Sequence, residues 1–348
     1  MSKILTIVIP TYNMEKYLDK CITSLIIPDE DLLSTLEVLV VNDGSKDSSS
    51  NIAHKYEDNY PGIVRVIDKE NGNYGSCINR GLKEAKGKYI KILDADDSFD
   101  TENFTRFLRQ LSTIDVDIVI SDYIVVNEDG KPQRRYCFSF PKSCIIDIST
   151  FFENIGSVEM HAVTYKTQNL RNLGYHQTEG VSYTDFEWVF SPLSTVKRAF
   201  YFPEVVYRYL VGRSGQTVDI KVYHKKWNDR VVGLWSIIDY YRKYTSSGYE
   251  IPVKNFMDKR LLGRIHGLYL SFLIVNRDKE GCEAFDRTLL SKSETIYKNS
   301  ENLFIHQRFR NYLFVKRWRG TGKLPSRIIS IAYLYIKSIR ALTNKIWR

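Results

Sequence analysis

A chain of 348 residues, 43% of them hydrophobic and 26% charged, is long enough for about two globular domains and excludes a low-complexity or disordered protein. No stretch approaches the roughly 20 apolar residues that cross a bilayer, no signal peptide is expected, and five scattered cysteines without a CxxC pair favour a reducing compartment over a disulfide framework. The net charge of +9 comes from one end, because eleven Lys and Arg but no Asp or Glu follow Glu301, which leaves residues 1–301 with a net charge of −2.

The first half of the chain alternates between two hydrophobic patterns. Short apolar runs predict strands at residues 5–9, 36–41, 63–67, 89–93 and 117–121. Apolar residues at helical spacing lie between them, over residues 14–25 and 74–85. Because the strands are apolar on both faces, we expect an α/β fold with a Rossmann-like, mostly parallel sheet covered by helices.

The second half has a different pattern. Residues 128–220 are mixed, whereas the chain beyond 220 is largely helical and aromatic, with helix candidates at 223–244, 256–275 and 302–315. Pro325 can open a last helix. We therefore predict a catalytic domain over residues 1–220 and a helical C-terminal domain over residues 221–348.

Polar clusters follow three of the predicted strands. They begin at Thr11, Asn42 and Asp94, each directly after an apolar run. Parallel sheets bind ligands at the carboxyl ends of their strands, so these clusters predict one binding site at that edge.

The densest cluster is LDADD, in which Asp94, Asp96 and Asp97 fall within four residues. Carboxylates at contact distance raise one another's pKa unless a cation lies among them. Mg²⁺ and Mn²⁺ prefer such oxygen ligands and often share them with phosphate. A helix cap or turn is the alternative for an isolated pair of acids.

Two further segments add to this prediction. Asp43 can accept a hydrogen bond from the imide N–H of a pyrimidine base, or it can cap a turn. Residues 71–76, NGNYGS, precede a helix, and their free N–H groups can face a phosphate or ribose.

Taken together, four segments resemble the family-2 glycosyltransferases of the GT-A fold. They are TIVIPTYNMEKYLDKCITSL, LEVLVVNDGSKDSS, GNYGSCINRGLKEAKGKYIKILDADD and YTDFEW, and the similarity covers residues 4–215. TYKT and YRYLVGRSGQT resemble the bacterial enzymes that build capsular and other surface polysaccharides. The resemblance implies an inverting hexosyltransferase that uses Mn²⁺ or Mg²⁺ and a nucleotide-diphosphate donor, with a UDP-sugar expected.

The resemblance also implies roles for matching positions. Asp185 matches the catalytic base and Asp96 the metal ligand. The positions expected to bind the donor are Thr11, Tyr12, Glu15, Asp43, Asn71, Gly75, Asp94, Asp97 and Arg213. In that set Asp43 would hold the base, Asp94 would face the ribose or the donor sugar, and Arg213 would lie near the diphosphate.

The chain departs from the family pattern at two places. Thr184 precedes Asp185 where the family usually has a second acid, and Ile78 stands where many relatives have arginine. Glu187 is the alternative base. His161 is interpreted as a structural hydrogen-bonder, and Trp188 either stacks on a sugar or packs in the core.

Other function classes remain as alternatives. A nucleotidyltransferase would have a Gly-rich basic loop after the first strand, and PTYNMEKY contains no glycine. A non-catalytic nucleotide-sugar binder in a membrane-bound glycan assembly complex is the second alternative, and an enzyme acting on a protein-linked glycan is the third.

The basic end predicts a partner of its own. Ile328, Ala332, Tyr335, Ile339, Leu342 and Ile346 form one helical apolar stripe flanked by basic residues. Such a helix either lies on an anionic membrane or docks on the protein body. With the basic residues of 308–323 added, we predict a cytoplasmic protein that is peripheral at the inner face of the cell membrane, acts on a lipid-linked acceptor and binds no nucleic acid.

Overall fold

The computed structural model describes residues 2–142, 144–213, 216, 228–304, 312–331 and 333. The chain forms two compact units, Met1–Gly233 and Leu234–Arg348. The predicted boundary at 220 and the predicted amphipathic stripe beyond residue 333 lie outside the described residues. All five cysteines are free.

Ten strands of the described residues form one sheet in the first unit. They are β1 (Leu5–Thr11), β2 (Leu36–Asn42), β3 (Val64–Asp68), β4 (Tyr89–Ile92), β5 (Ser98–Phe99), β6 (Ile118–Val126), β7 (Pro132–Tyr136), β8 (Ile145–Asp147), β9 (Val163–Lys166) and β10 (Arg198–Leu210). The sheet order is β3-β2-β1-β4-β9-β6-β10-β5, with β7 beside β6 and β8 beside β10.

The N-terminal half of the sheet is parallel, as the apolar runs predict. β1 pairs with β2 and β4, and β2 pairs with β3, all in parallel. The residues of β2 and β4 are all buried, which fits strands covered on both faces. The carboxyl ends of these strands therefore meet at one edge, where Thr11 lies opposite Asn42.

The other half of the sheet is mixed, so the prediction of a mostly parallel sheet was wrong for this part. β9 runs antiparallel to β4 and to β6, and β5 and β8 run antiparallel to β10. β10 is 13 residues long and pairs in parallel with β6 through two register shifts. Its distal half reaches the turn that follows β4, and this contact builds the candidate site.

Helices connect the strands of the first unit. They are α1 (Leu18–Thr23), α2 (Glu30–Ser34), α3 (Ser49–Asn59), α4 (Asn73–Glu84), α5 (Thr101–Thr113), α6 (Ile148–Asn154), α7 (Thr167–Leu173) and α8 (Asp185–Trp188). The start of α5 is fixed by Asp100, whose carboxylate accepts the N–H of Asn103. α4 packs closely on β1, because a side chain at Gly81 would collide with Val8.

The remaining helices are α9 (Asp229–Ser246), α10 (Ile251–Leu270), α11 (Lys279–Lys292), α12 (Glu294–Asn299) and α13 (Phe314–Thr321). The predicted helix over 302–315 was wrong in its described part, because Phe304 and Leu313 form an antiparallel bridge and α13 begins only at Phe314. Residues 327–331 and 333 are helical, as expected after Pro325. Across the described chain, every helix is too short or too polar to span a bilayer.

Candidate active site

Tyr207 of β10 holds the turn at residues 94–97 through hydrogen bonds. The Tyr207 hydroxyl donates to Asp97 Oδ2 at 2.6 Å and accepts the Asp94 N–H at 3.1 Å. Asp97 Oδ1 accepts the Leu210 N–H at 2.6 Å. Asp97 is only 2% exposed and both of its oxygens are engaged. This arrangement favours a positioning role for Asp97 over the direct donor contact that the sequence predicts.

Crowding of the acids shifts their titration. Burial, and then the Asp96 charge, raise the pKa of Asp94 to about 7. Burial raises the pKa of Asp97 well above its ordinary value, and the charges of Asp96 and Asp94 add to the shift. Burial and mutual repulsion thus both disfavour the ionised forms of Asp94 and Asp97.

Asp96 is neutralised by an arginine from beyond β10. Arg213 Nε lies 2.5 Å from Asp96 Oδ2, and both side chains are largely buried. Gln216 Nε2 donates to the same oxygen at 3.3 Å and to the Leu210 carbonyl at 2.7 Å. The segment after β10 thus contacts Asp96 directly, and Arg213 forms an ion pair with this predicted metal ligand. That Arg213 lies near the diphosphate stays a prediction.

A cavity of about 220 Å³ brings together two of the predicted acids. Asp94 and Asp185, 91 residues apart in the sequence, both line it, together with Tyr74, His161, Tyr183 and Tyr209. Asp94 Oδ1 accepts a hydrogen bond of 2.9 Å from the Tyr74 hydroxyl. Asp185 is the first residue of α8.

Glu187 and Trp188, whose roles the sequence left open, both lie in the protein interior. Glu187 is buried and accepts the Thr178 N–H at 2.9 Å, so it faces the loop beside α4 rather than the cavity. Trp188 is fully buried and packs edge-on against Tyr165 and Tyr175. Trp188 is therefore a core residue.

Asp43 lies at the end of β2 beside a lysine. Lys69 Nζ lies 2.5 Å from Asp43 Oδ1, which also accepts the Gly72 N–H at 2.9 Å. Asn71 donates to the Asp43 carbonyl, which ties the NGNYGS loop to β2. Lys69, Asn71 and Gly72 also line a separate hollow of about 740 Å³, which does not include Asp94 or Asp185.

The remaining predicted donor contacts lie around the same edge. Thr11 is buried and its hydroxyl donates to Ile9 O, whereas Tyr12 is exposed. Glu15 accepts the Ser48 N–H, which joins the loop after β1 to the start of α3. Gly75 is buried, and a Cβ there would collide with the Thr178 carbonyl, so close packing already requires a glycine.

Several residues of the site have no sequence signal that singles them out. Tyr74 and Tyr207, which are 133 residues apart in the sequence, reach the acids from α4 and β10. Arg80, the basic residue beside the departure at Ile78, pairs with Glu84 on the surface of α4. The one detectable signal was the lysine in YIKILDADD, because a charged residue inside an apolar strand needs buried partners.

That lysine, Lys91, is fully buried and donates to the carbonyls of His161 at 2.7 Å and Val163 at 3.1 Å. It thereby fixes the short helical turn Met160–Ala162 against β4. Since Met160 and His161 line the cavity, Lys91 positions one wall of the candidate site.

The wild type is expected to become more thermally stable as the pH rises above about 7, and Lys91→Met is expected to lose this increase. Burial lowers the pKa of Lys91 to about 7, whereas an unfolded lysine titrates near about 10.4. Between these values the unfolded chain binds the additional proton, so the wild type gains stability as the pH rises from about 7 towards 10. Melting temperatures of both proteins between pH 7 and 9.5 test this, and equal slopes would contradict it.

The described residues contain a candidate cation-binding group. Asp94, Asp97 and His161 each offer a ligand atom, and these atoms lie within 4.8 Å of one another. With Asp96 beside them, this part of the protein supplies the carboxylate oxygens that hard divalent cations prefer.

The chain is similar to known proteins. Residues 6–172 match the family described as Glycosyl transferase family 2. The chain is 28% identical over 236 residues to the uncharacterized glycosyltransferase MG025 homolog of Mycoplasma pneumoniae, with 64% of this chain and 71% of that protein aligned. It is 27% identical over 221 residues to the poly(ribitol-phosphate) beta-glucosyltransferase of Bacillus spizizenii, with 62% and 33% aligned. The chain thus spans only about a third of that second relative.

The fold also matches a solved structure. Residues 1–349 of TarS from S. aureus, in complex with UDP-GlcNAc, superpose with a TM-score of 0.64 and 18% sequence identity, over 92% of each chain. This similarity confirms the GT-A fold with a C-terminal helical region.

Proposed function

We propose that this chain, whose residues 6–172 match the family described as Glycosyl transferase family 2, is an inverting, metal-dependent glycosyltransferase that moves a sugar from a UDP-sugar to a hydroxyl of a growing surface glycan. The observation that carries this proposal is the cavity shared by Asp94 and Asp185 beside the 94–97 turn. It offers a place for a sugar between a donor-side acid and a base.

Asp185 is the proposed general base. Its carboxylate takes the proton of the acceptor hydroxyl while the hydroxyl oxygen bonds to the anomeric carbon. In the same step the bond from that carbon to the β-phosphate oxygen breaks, and UDP departs with the electron pair. Because no enzyme nucleophile intervenes, a single displacement inverts the anomeric configuration.

The residues present fit a divalent cation, which Asp96 would hold with Asp94 close by. Burial, followed by the charges of the neighbouring carboxylates, raises the pKa of both Asp94 and Asp97. A bound Mn²⁺ or Mg²⁺ supplies Lewis-acid stabilisation of the departing diphosphate. Arg213 now pairs with Asp96, and we infer that its guanidinium turns to the diphosphate when a donor binds.

The proposed nucleotide is UDP. Asp43 offers a carboxylate to the imide N–H of uracil, and Lys69 beside it offers donors to a uracil carbonyl. TarS, which shares this fold, was crystallised with UDP-GlcNAc. Thr11, Tyr12, Glu15 and Asn71 are proposed to shape the rest of the nucleotide site.

The proposed acceptor is a lipid-linked glycan at the cytoplasmic face of the membrane. One relative is named as a poly(ribitol-phosphate) beta-glucosyltransferase. At the basic end of this chain, Ile328 is 78% exposed and Ile331 is 65% exposed on the helical segment that begins at residue 327. Exposed apolar residues among basic ones fit an anionic lipid surface.

Replacing Ile328 and Ile331 together by Asp is expected to weaken binding to vesicles with anionic lipid by at least about tenfold. Each isoleucine that enters the membrane contributes about 1.5–3 kcal/mol, which the charged side chain cannot supply. Co-sedimentation measures the change. Ile251→Asp is the matched control, because Ile251 is equally exposed at 68% but lies at the start of α10. Equal losses in both proteins would contradict a specific membrane surface.

Incubation with UDP-sugars and Mn²⁺ tests the proposed function as a whole. Slow release of UDP that accelerates with an acceptor supports the transferase. Pyrophosphate chemistry would indicate a nucleotidyltransferase, and binding without turnover would indicate a non-catalytic partner. Turnover only with a protein-linked glycan would show that the acceptor is not a lipid-linked glycan.

A further inference from the structure

The imidazole of His161 is enclosed by three tyrosine rings. Tyr209 stacks on it with centroids 4.4 Å apart and an interplanar angle of 29°, and Tyr123 lies at 5.1 Å and 36°. Tyr207 packs edge-on at 4.7 Å. Because these rings fix the orientation of the imidazole, its nitrogen-bearing edge is what remains for a polar contact.

That edge lacks a partner within the described part of the chain. Nδ1 is buried and makes no hydrogen bond there. Nε2 likewise makes no hydrogen bond with those residues, and it is not fully buried. The side chain lines the cavity that is also lined by Asp94 and Asp185. Burial, with the Lys91 charge, lowers the pKa of His161 to about 3. A neutral imidazole has one donor and one acceptor, so either tautomer can bind a hydroxyl.

The distance to Asp94 sets what can fit. A ring nitrogen of His161 lies within 4.8 Å of a carboxylate oxygen of Asp94. Two hydrogen bonds of about 2.8 Å that meet at one tetrahedral oxygen span about 4.6 Å. One hydroxyl can therefore bridge the two side chains, donating to the carboxylate and accepting from the imidazole.

A cation at Asp94, Asp97 and His161 is the competing interpretation. Asp97 already accepts the Tyr207 hydroxyl and the Leu210 N–H with its two oxygens, so it contributes little to a ligand in the cavity. A hydroxyl needs only Asp94 and His161 and leaves the Tyr207 network intact.

We propose that His161 and Asp94 together bind one hydroxyl of the transferred sugar, which makes His161 a specificity-determining residue for the donor. This inference rests on the proposed function, because it assumes a nucleotide-sugar in the cavity. The proposal gives His161 a contact with the ligand, whereas the sequence alone predicts only a structural hydrogen bond for this residue.

Calorimetric titration with UDP and with UDP-glucose, UDP-galactose, UDP-GlcNAc and UDP-GalNAc tests the proposal in the presence of Mn²⁺. For the sugar that the wild type binds best, His161→Phe is expected to lower affinity about tenfold and to leave UDP affinity within twofold. Phe keeps the aromatic packing and removes both nitrogens. His161→Gln restores a polar edge and should recover part of the loss.

The controls separate the possible failures. His54→Phe makes the same change at a half-exposed histidine on α3 and should alter neither affinity. Equal losses for UDP and UDP-sugar in His161→Phe, or none in either, would overturn the role of His161. So would a change confined to the acceptor KM in transfer assays. A wild type that binds no nucleotide-sugar would instead refute the proposed function itself.

Discussion

Asp185→Asn is expected to lower the rate of sugar transfer by about 10²–10⁴ while the affinity for the UDP-sugar stays within about twofold. A positioned base contributes a rate factor of that size, and an amide cannot accept the proton of the acceptor hydroxyl. Asp185 and Asp94 both line the cavity, and the change alters only the acid on α8. Steady-state UDP release with acceptor and titration with donor measure the two quantities.

Two comparison variants sharpen this prediction. Glu187→Gln is expected to retain transfer in whatever fraction folds, because Glu187 is buried against Thr178. Asp58→Asn removes an exposed carboxylate on α3 and should leave both quantities unchanged. Full activity in Asp185→Asn, or loss in Glu187→Gln with unchanged folding, would reassign the base.

Asp96→Asn has the second large expected effect. We expect turnover to fall by about 10²–10³, the size of the loss when one stabiliser of a developing charge is removed. Stimulation by Mn²⁺ should also disappear, because the substitution removes a carboxylate charge from the proposed cation site. UDP release measured across a Mn²⁺ titration gives both results.

Asp97→Asn distinguishes the role of Asp97 from that of Asp96 in the same assay. Since Asp97 faces Tyr207 and the Leu210 N–H, its substitution is expected to lower the melting temperature but to keep the Mn²⁺ concentration for half-maximal activity. Loss of the Mn²⁺ response in Asp97→Asn with a normal response in Asp96→Asn would reverse the two roles.

The parallel half of the fold was predictable because its signals are local. β1, β2 and β4 are apolar on both faces, and a polar cluster follows each of them. Parallel pairing then brings the clusters to one edge without any knowledge of long-range contacts. The role of Asp185 was predicted in a different way, from motif segments that resemble a family, and Asp185 lines one cavity with Asp94.

The antiparallel half and the inner part of the site were not predictable in this way. β10 contacts the 94–97 turn through Tyr207 across 110 residues, and nothing near Tyr207 marks it as a partner of acids. The three rings around His161 come from β6 and β10, so its unpartnered edge exists only once the sheet has formed. Lys69 beside Asp43 and Arg213 beside Asp96 likewise depend on loops meeting in space.

A crystal structure with a UDP-sugar and Mn²⁺ tests the central claim most directly. The proposed account predicts the metal on the Asp96 carboxylate, the sugar in the cavity between Asp94 and Asp185, and the Asp185 carboxylate on the face of the anomeric carbon opposite the diphosphate. A donor bound with Asp96 turned away from both metal and diphosphate, or with its sugar outside that cavity, would contradict it.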